Sequence, residues 1–123
     1  MKKGLQIVRN IKISGGESQT INIQLKENYA KCTGVMLTPG ANNTRFDLLT
    51  IGLIVAQHEV LPIGTDATLI AHHSNISRDE AKYDFTEENI PARSSDVELQ
   101  VKHIGKSTDV TQTFNVYFFL ENN

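Results

Sequence analysis

The sequence predicts an all-β domain, an antiparallel β-sandwich of about eight strands. Apolar and polar residues alternate with a period of two along most of the chain, which is typical of strands with one buried face. Turn-forming residues separate the alternating segments at intervals of roughly 8–12 residues, the spacing of a sandwich. A jelly roll is one arrangement that fits. An immunoglobulin-type sandwich is the next, but the chain lacks a tryptophan and a pair of cysteines.

The first three predicted strands lie in residues 5–13, 19–25 and 30–38. The first has apolar residues at odd positions except Arg9, and Ser14-Gly15-Gly16 then predicts a turn. The second alternates without exception, with neutral polar residues at its even positions. The third ends at the turn-forming residues 39–43.

Residues 46–55 form the most apolar segment and are predicted to be a strand buried on both faces. Their β-branched content and the absence of caps favour a strand over a helix. Gly52 within the segment indicates a bulge or a close backbone approach. Residues 59–61 and 67–71 are predicted as two short strands, and the first can continue the preceding strand around a bend.

The polar residues 74–91 permit two interpretations. Ser77 and Glu80 match a capping box that would open one helical turn, whereas Tyr83 and Phe85 alternate as in a short strand. Two longer strands follow at 96–104 and 111–120. The last is apolar on both faces near its end, which predicts a central position in a sheet.

Composition excludes several classes of function. The 123 residues suit one domain, 1–123, and the net charge is -2. Lys2-Lys3 is the only adjacent basic pair, so no nucleic-acid partner is expected. No apolar run reaches membrane-spanning length and none of signal-peptide length follows the lysines, so we expect neither membrane insertion nor secretion. The sequons at Asn42 and Asn75 would matter only in a secretory pathway.

Histidines and carboxylates are the candidate metal ligands. They are His58, His72, His73, His103, Glu59 and Asp66. Adjacent histidines on a strand point to opposite faces, so at most one of His72 and His73 can join a single cluster. No His-x-His or His-Glu-x-x-His spacing is present, and the sequence assigns no metal site.

The polar stretch also contains a group of acidic residues that could supply oxygen ligands to calcium. They are Asp79, Glu80, Asp84, Glu87 and Glu88. Their spacing does not match an EF-hand, and Arg78 and Lys82 are interleaved with them. A solvated loop or a contact with a basic partner is the alternative.

No pattern of catalytic residues is present. Cys32 is the only cysteine, and a catalytic thiol would need a neighbouring histidine and a lowered pKa. The serines lie in no nucleophile-elbow motif, and Ser14-Gly15-Gly16 lacks the lysine of a phosphate loop. We therefore expect a protein that is not an enzyme, with no catalytic residue and no cofactor.

Sugar binding is the main alternative for a sandwich. Such sites present exposed aromatic rings, and in the absence of tryptophan the candidates are Tyr29, Tyr83 and Tyr117. A ligand-binding module for a glycan or calcium therefore stays open beside the structural hypothesis.

Surface composition favours association with other proteins. The outward positions of 19–25 are Thr, Asn and Gln, and removing these side chains from water costs less free energy than removing charged ones. The loops 40–45 and 74–91 are long enough to reach a neighbour, and the N-terminal strand could add to another subunit's sheet. Ordinary solvent-facing strands are the alternative.

Four segments resemble small β-sandwich virion proteins of tailed bacteriophages, especially crAss-like phages of Bacteroidota. They are 16–23 (GESQTINI), 31–35 (KCTGV), 59–64 (EVLPIG) and 114–120 (FNVYFFL). The resemblance implies a capsid decoration, auxiliary or head-fibre base subunit that forms a trimer or another homo-oligomer and binds other virion proteins. It also implies synthesis in the host bacterial cytoplasm and incorporation into the virion.

Overall fold

A computed structural model of the chain describes residues 2–40, 44–71, 83–106 and 111–122, which form two antiparallel sheets packed face to face. The strands are β1 Lys2–Ile13, β2 Ser18–Gln24, β3 Lys31–Pro39, β4 Leu49–Val55, β5 His58–Asp66, β6 Tyr83–Asp84, β7 Ile90–Pro91, β8 Asp96–His103 and β9 Gln112–Asn122. The predicted all-β sandwich is confirmed.

The strand order is that of a jelly roll. Sheet A has the order β1-β9-β3-β6, with β7 also paired to β3, and sheet B has the order β2-β8-β4-β5. The first and last strands in the sequence, β1 and β9, pair with each other. Inside this pair, β2 pairs with β8, β3 pairs with β6 and β7, and β4 pairs with β5. A long hairpin folded over on itself produces this nesting.

The core lies between the two sheets. Phe114 and Phe118 of β9 face Leu53 of β4 and Leu99 of β8 from opposite sheets, and each is 0–1% exposed. Burying one such side chain contributes about 1.5–3 kcal/mol of transfer free energy. β9 lies between β1 and β3, so its predicted central position is confirmed.

The predicted phase of the first strand is wrong in its N-terminal half. The pairing of β1 with β9 shifts between Val8 and Ile11, and Asn10 in the shift has a φ of 58°. Because one slipped residue exchanges the two faces, Val8 packs on the core while Leu5 and Ile7 turn to the outside of sheet A.

The strand predicted at 59–61 is confirmed as part of β5, which is longer and spans His58–Asp66. Ala56 and Gln57 have φ values of 49° and 68° and form a tight hairpin, so β5 pairs back on β4 instead of continuing it around a bend. The predicted strand at 67–71 is a 3₁₀ turn, Ala67–Leu69, followed by a single bridge from Ala71 to β3. The Asp66 carboxylate caps this turn by accepting the Thr68 N–H over 3.0 Å.

The polar stretch is described only in part. Ser77 and Glu80, the predicted capping box, lie outside the described residues. Tyr83–Asp84 forms the short strand that alternation predicted, and a 3₁₀ turn at Thr86–Glu88 follows. None of the helices described is long and apolar enough to span a membrane.

Candidate interaction surface on sheet B

The outward side of sheet B is the candidate interaction surface, here called the sheet B face. It consists of the residues that alternate with the core-facing ones: Ser18, Thr20, Asn22, Gln24, Thr50, Gly52, Ile54, Asp96, Glu98, Gln100 and Lys102, with Ile63 of β5 beside them. Its composition is largely neutral and polar.

The centre of the sheet B face is a row that runs across three strands. Thr20 lies opposite Gln100, which lies opposite Gly52. Ile63 covers Gly52 closely, since a Cβ at residue 52 would lie 2.9 Å from the Ile63 Cα and 3.1 Å from the Gln100 Oε1. That oxygen is buried without a hydrogen-bond partner among the described residues, while the Gln100 Nε2 donates to Glu98 over 3.2 Å.

A shallow depression of about 500 Å³ opens beside this row. Ile63 and Ile104 line it and are 73% and 55% exposed, so apolar surface borders the polar centre. Exposed apolar side chains grouped beside a polar surface are typical of sites that contact another molecule.

Charge is distributed unevenly along the sheet B face. Lys102 lies near the end where β8 leaves the sheet, and Glu98 and Asp96 lie toward the other end of the same strand. The neutral row at Gln100 separates them. No cluster of ionisable groups converges on the centre among the residues that line the depression.

The predicted metal ligands are dispersed in the structure. His103 is 0% exposed in the core, where its Nδ1 accepts the Gly105 N–H over 3.0 Å. His58 and Glu59 are exposed at the start of β5, and Asp66 is exposed at its end. His72 and His73 lie outside the described residues. Within the described ranges, no three ligand-type side chains are grouped for a metal ion.

The described acidic residues form a local turn. The Asp84 Oδ1 accepts hydrogen bonds from the Thr86 N–H at 2.9 Å and the Thr86 Oγ1 at 2.6 Å. Glu87 and Glu88 are exposed on the 3₁₀ turn Thr86–Glu88, to whose first residue this carboxylate is hydrogen-bonded. Asp79 and Glu80 lie outside the described residues.

Cys32 is buried in β3 and lies on the core side of sheet A. It is 1% exposed, and burial raises the pKa of its thiol to about 12. A thiol with a raised pKa and no access to solvent is a poor nucleophile. Its environment is that of a small core residue.

The three tyrosines do not form a common platform for a sugar. Tyr29 is 8% exposed and packs against Gly4, Tyr83 lies on β6 beside Phe85, and Tyr117 lies half-buried on the outside of sheet A. The outward positions of the sheet B face carry no aromatic residue among those described.

Alternation predicted the polar outward positions of β2 and β8, but it missed Ile63 as part of the surface. Ile63 follows a proline and precedes a glycine, which favoured a turn. Gly52 was the one available signal, since a buried glycine in a strand marks a close approach. In comparisons with known proteins, no family model and no curated protein matches the chain.

Proposed function

We propose that this protein is a non-enzymatic structural subunit that assembles with other proteins through its outer surfaces, as a component of a bacteriophage virion. A role as a capsid decoration, auxiliary or head-fibre base subunit fits a small sandwich of this kind.

The sheet B face is the observation that carries this proposal. Its neutral polar centre has a low desolvation cost, and the exposed Ile63 and Ile104 provide apolar contact area. Lys102 is the one ionisable residue among those that line the depression, so the geometry favours contact with a partner over chemistry in a cleft.

The assignment to a virion rests on the sequence resemblance together with the fold. Jelly rolls build viral capsid proteins and also lectins and cupins, so the fold is compatible with a virion subunit without selecting it. The phage-like segments 16–23 and 59–64 include most of β2 and part of β5 in sheet B, and 31–35 and 114–120 lie in β3 and β9 of sheet A.

Co-sedimentation with particles tests the proposal. Tagged chain is expressed in cells that produce the phage particles, the particles are purified on a density gradient, and the chain is quantified in the particle band. We expect it there in a fixed ratio to the major capsid protein. Recovery only in the soluble fraction would contradict the proposal.

Two variants test whether incorporation into particles depends on the sheet B face. Ile63→Lys and Ile104→Lys place charges on the apolar border and should reduce incorporation at least about tenfold, the loss of about 1.4 kcal/mol of contact free energy. Asn28→Lys adds the same charge at an exposed position in the connection between β2 and β3 and serves as the control. Equal incorporation of all three would exclude this face as the contact.

A glycan-binding module is the second candidate, favoured by the depression itself. Its volume of about 500 Å³ lies within the range of about 300–1,000 Å³ for small-molecule sites, and the exposed Ser18 and Thr20 hydroxyls that line it could bond to a sugar. A glycan array with the wild type and Thr20→Val tests it. Binding that the substitution removes would favour this candidate, and an array without signal would exclude it.

A further inference from the structure

β2 is an edge strand whose hydrogen-bonding groups are used on one side. The Leu25 N–H donates to the Ser95 carbonyl over 2.9 Å, and the Glu17 carbonyl accepts the His103 N–H over 2.9 Å. In an antiparallel pair, the residues that bond to the partner alternate with residues whose backbone groups point away. Odd-numbered residues of β2 therefore bond to β8, and even-numbered ones point to the open edge.

The open edge is formed by Ser18, Thr20 and Asn22. All three are exposed, and their outward N–H and C=O groups have no partner among the described residues. The edge ends at Gln24, whose carbonyl accepts a hydrogen bond from the Gln6 Nε2 over 2.8 Å.

The other described edges carry features that discourage strand addition. In β1, Arg9 and Lys12 are exposed and the ladder is shifted near Asn10. β5 contains Pro62 and two register shifts. At the other edge of sheet A, β6 has only two residues, one of them Asp84, and the short β7 ends in a proline.

β2 has none of these features. Its sequence, SQTINIQ, contains no charge and no proline, and its ladder with β8 runs from Ser18 to Gln24 without a shift. On the inward side, Ile21 and Ile23 are only half-buried, because no strand lies beyond them. An added strand would cover these side chains and satisfy the open backbone groups together.

We infer that β2 pairs antiparallel with β2 of a second copy of this chain, about a two-fold axis at Ile21. This inference rests on the proposed assembly function and names one partner and one contact. Pairing joins the two sheets B into one continuous sheet across the axis. Thr20 of one copy lies opposite Asn22 of the other, and Ile21 lies opposite its own counterpart.

Two arguments select a second copy and this register. The strand is neutral, so pairing with itself brings no like charges together, whereas β1 pairing with itself would bring basic residues close to one another. With the axis at Ile23, Asn22 of the second copy would compete with Gln6 for the Gln24 carbonyl. With the axis at Gln19, the pairing would extend into the turn at Gly16. An axis at Ile21 centres the pairing on Thr20 and Asn22, whose outward groups are open in both copies, and brings Gln24 only to the outer end of the paired segment, opposite Ser18. The charge variants below distinguish it from an axis at Thr20, which would place residue 20 opposite its own counterpart.

Charge variants test the contact and its register by sedimentation velocity over a concentration series. Thr20→Lys combined with Asn22→Lys places like charges opposite each other in both symmetry-related pairs and should weaken dimerisation about tenfold. Thr20→Lys combined with Asn22→Glu places opposite charges there and should restore it. Asn28→Lys, which adds the same charge at an exposed position outside β2 and the sheet B face, is the control and should dimerise as the wild type does.

The expected wild-type result is a species of twice the 13.7 kDa chain mass at high concentration. If the two double variants dimerise equally, or if the chain forms a trimer that neither double variant weakens, the β2 contact is overturned and the assembly function still stands. A monomer at every concentration that is also missing from particles would overturn both. Urea unfolding midpoints show whether each variant remains folded.

Discussion

Ile63 lies directly over the Gly52 Cα on the sheet B face. A Cβ at residue 52 would lie 2.9 Å from the Ile63 Cα and 3.0 Å from its Cγ1. Because the nearest atom belongs to the backbone of β5, a side chain at residue 52 could be accommodated only if β5 shifted relative to β4. The absence of a side chain at residue 52 is therefore what lets β5 carry Ile63 onto the surface.

Gly52→Ala should destabilise the fold by about 1–2 kcal/mol. The free energy lost by overpacking is larger than the stabilisation that alanine gives by lowering the conformational entropy of the unfolded chain. The measurement is the free energy of unfolding from urea titration. Ile63→Ala, at a side chain that is 73% exposed, is the control and should change stability little. A Gly52→Ala variant as stable as the wild type would contradict the crowding.

Gln112→Leu should cost about 1–3 kcal/mol, because it removes the acceptor of a backbone N–H. Gln112 is 5% exposed, and its Oε1 accepts the Arg45 N–H over 2.8 Å. The same replacement at Gln100, whose Oε1 is buried without a partner among the described residues, should cost much less. Urea titration of both variants checks the difference, and equal losses would refute the explanation.

Cys32 should resist thiol reagents in the native protein at pH 8. Its burial keeps reagents out, and a pKa of about 12 leaves very little thiolate. Labelling by an aromatic disulfide reagent should be at least about a hundredfold slower than in urea-unfolded protein. Rapid labelling without denaturant would show that β3 is accessible.

Glu17 should make stability depend on pH on the acid side. The Ser14 N–H and the Gln19 side-chain amide donate to its carboxylate and lower its pKa. A lowered folded-state pKa gives a stabilisation that is present above the unfolded-state pKa and is lost as the pH falls through the folded-state value.

Between pH 6 and about pH 3, the wild type should therefore lose more stability than Glu17→Gln does. Urea midpoints at the two pH values measure the difference. Parallel losses in the two proteins would remove Glu17 from the acid response.

Sequence patterns predicted those parts of the fold that depend on local alternation. The clean alternation of 19–25 and 96–104 predicted β2, β8 and their faces correctly. The phase of β1 was not predictable, because the shift at Asn10 accompanies a hydrogen bond from its N–H to the Asn115 side chain, 105 residues away. The hairpin at Ala56 and Gln57 lacks the usual Asn-Gly signal, and the Ala56 N–H is held by the Asp96 carbonyl of β8.

The candidate surface was predictable only in its polar part. Alternation identified the neutral outward residues of β2, but it could not show that β2 lies at an edge, since edge position is set by which strands pair. The unpaired groups of Thr20 and Asn22 become evident only from the topology.

Hydrogen exchange of the individual β2 amides, measured by NMR at low and high protein concentration, tests strand pairing at this edge most directly. The Gln19, Ile21 and Ile23 amides, bonded to β8, should exchange slowly at both concentrations. The Thr20 and Asn22 amides should exchange rapidly in dilute protein and at least about tenfold more slowly in concentrated protein. Rapid exchange at Thr20 and Asn22 at both concentrations would contradict pairing at this edge.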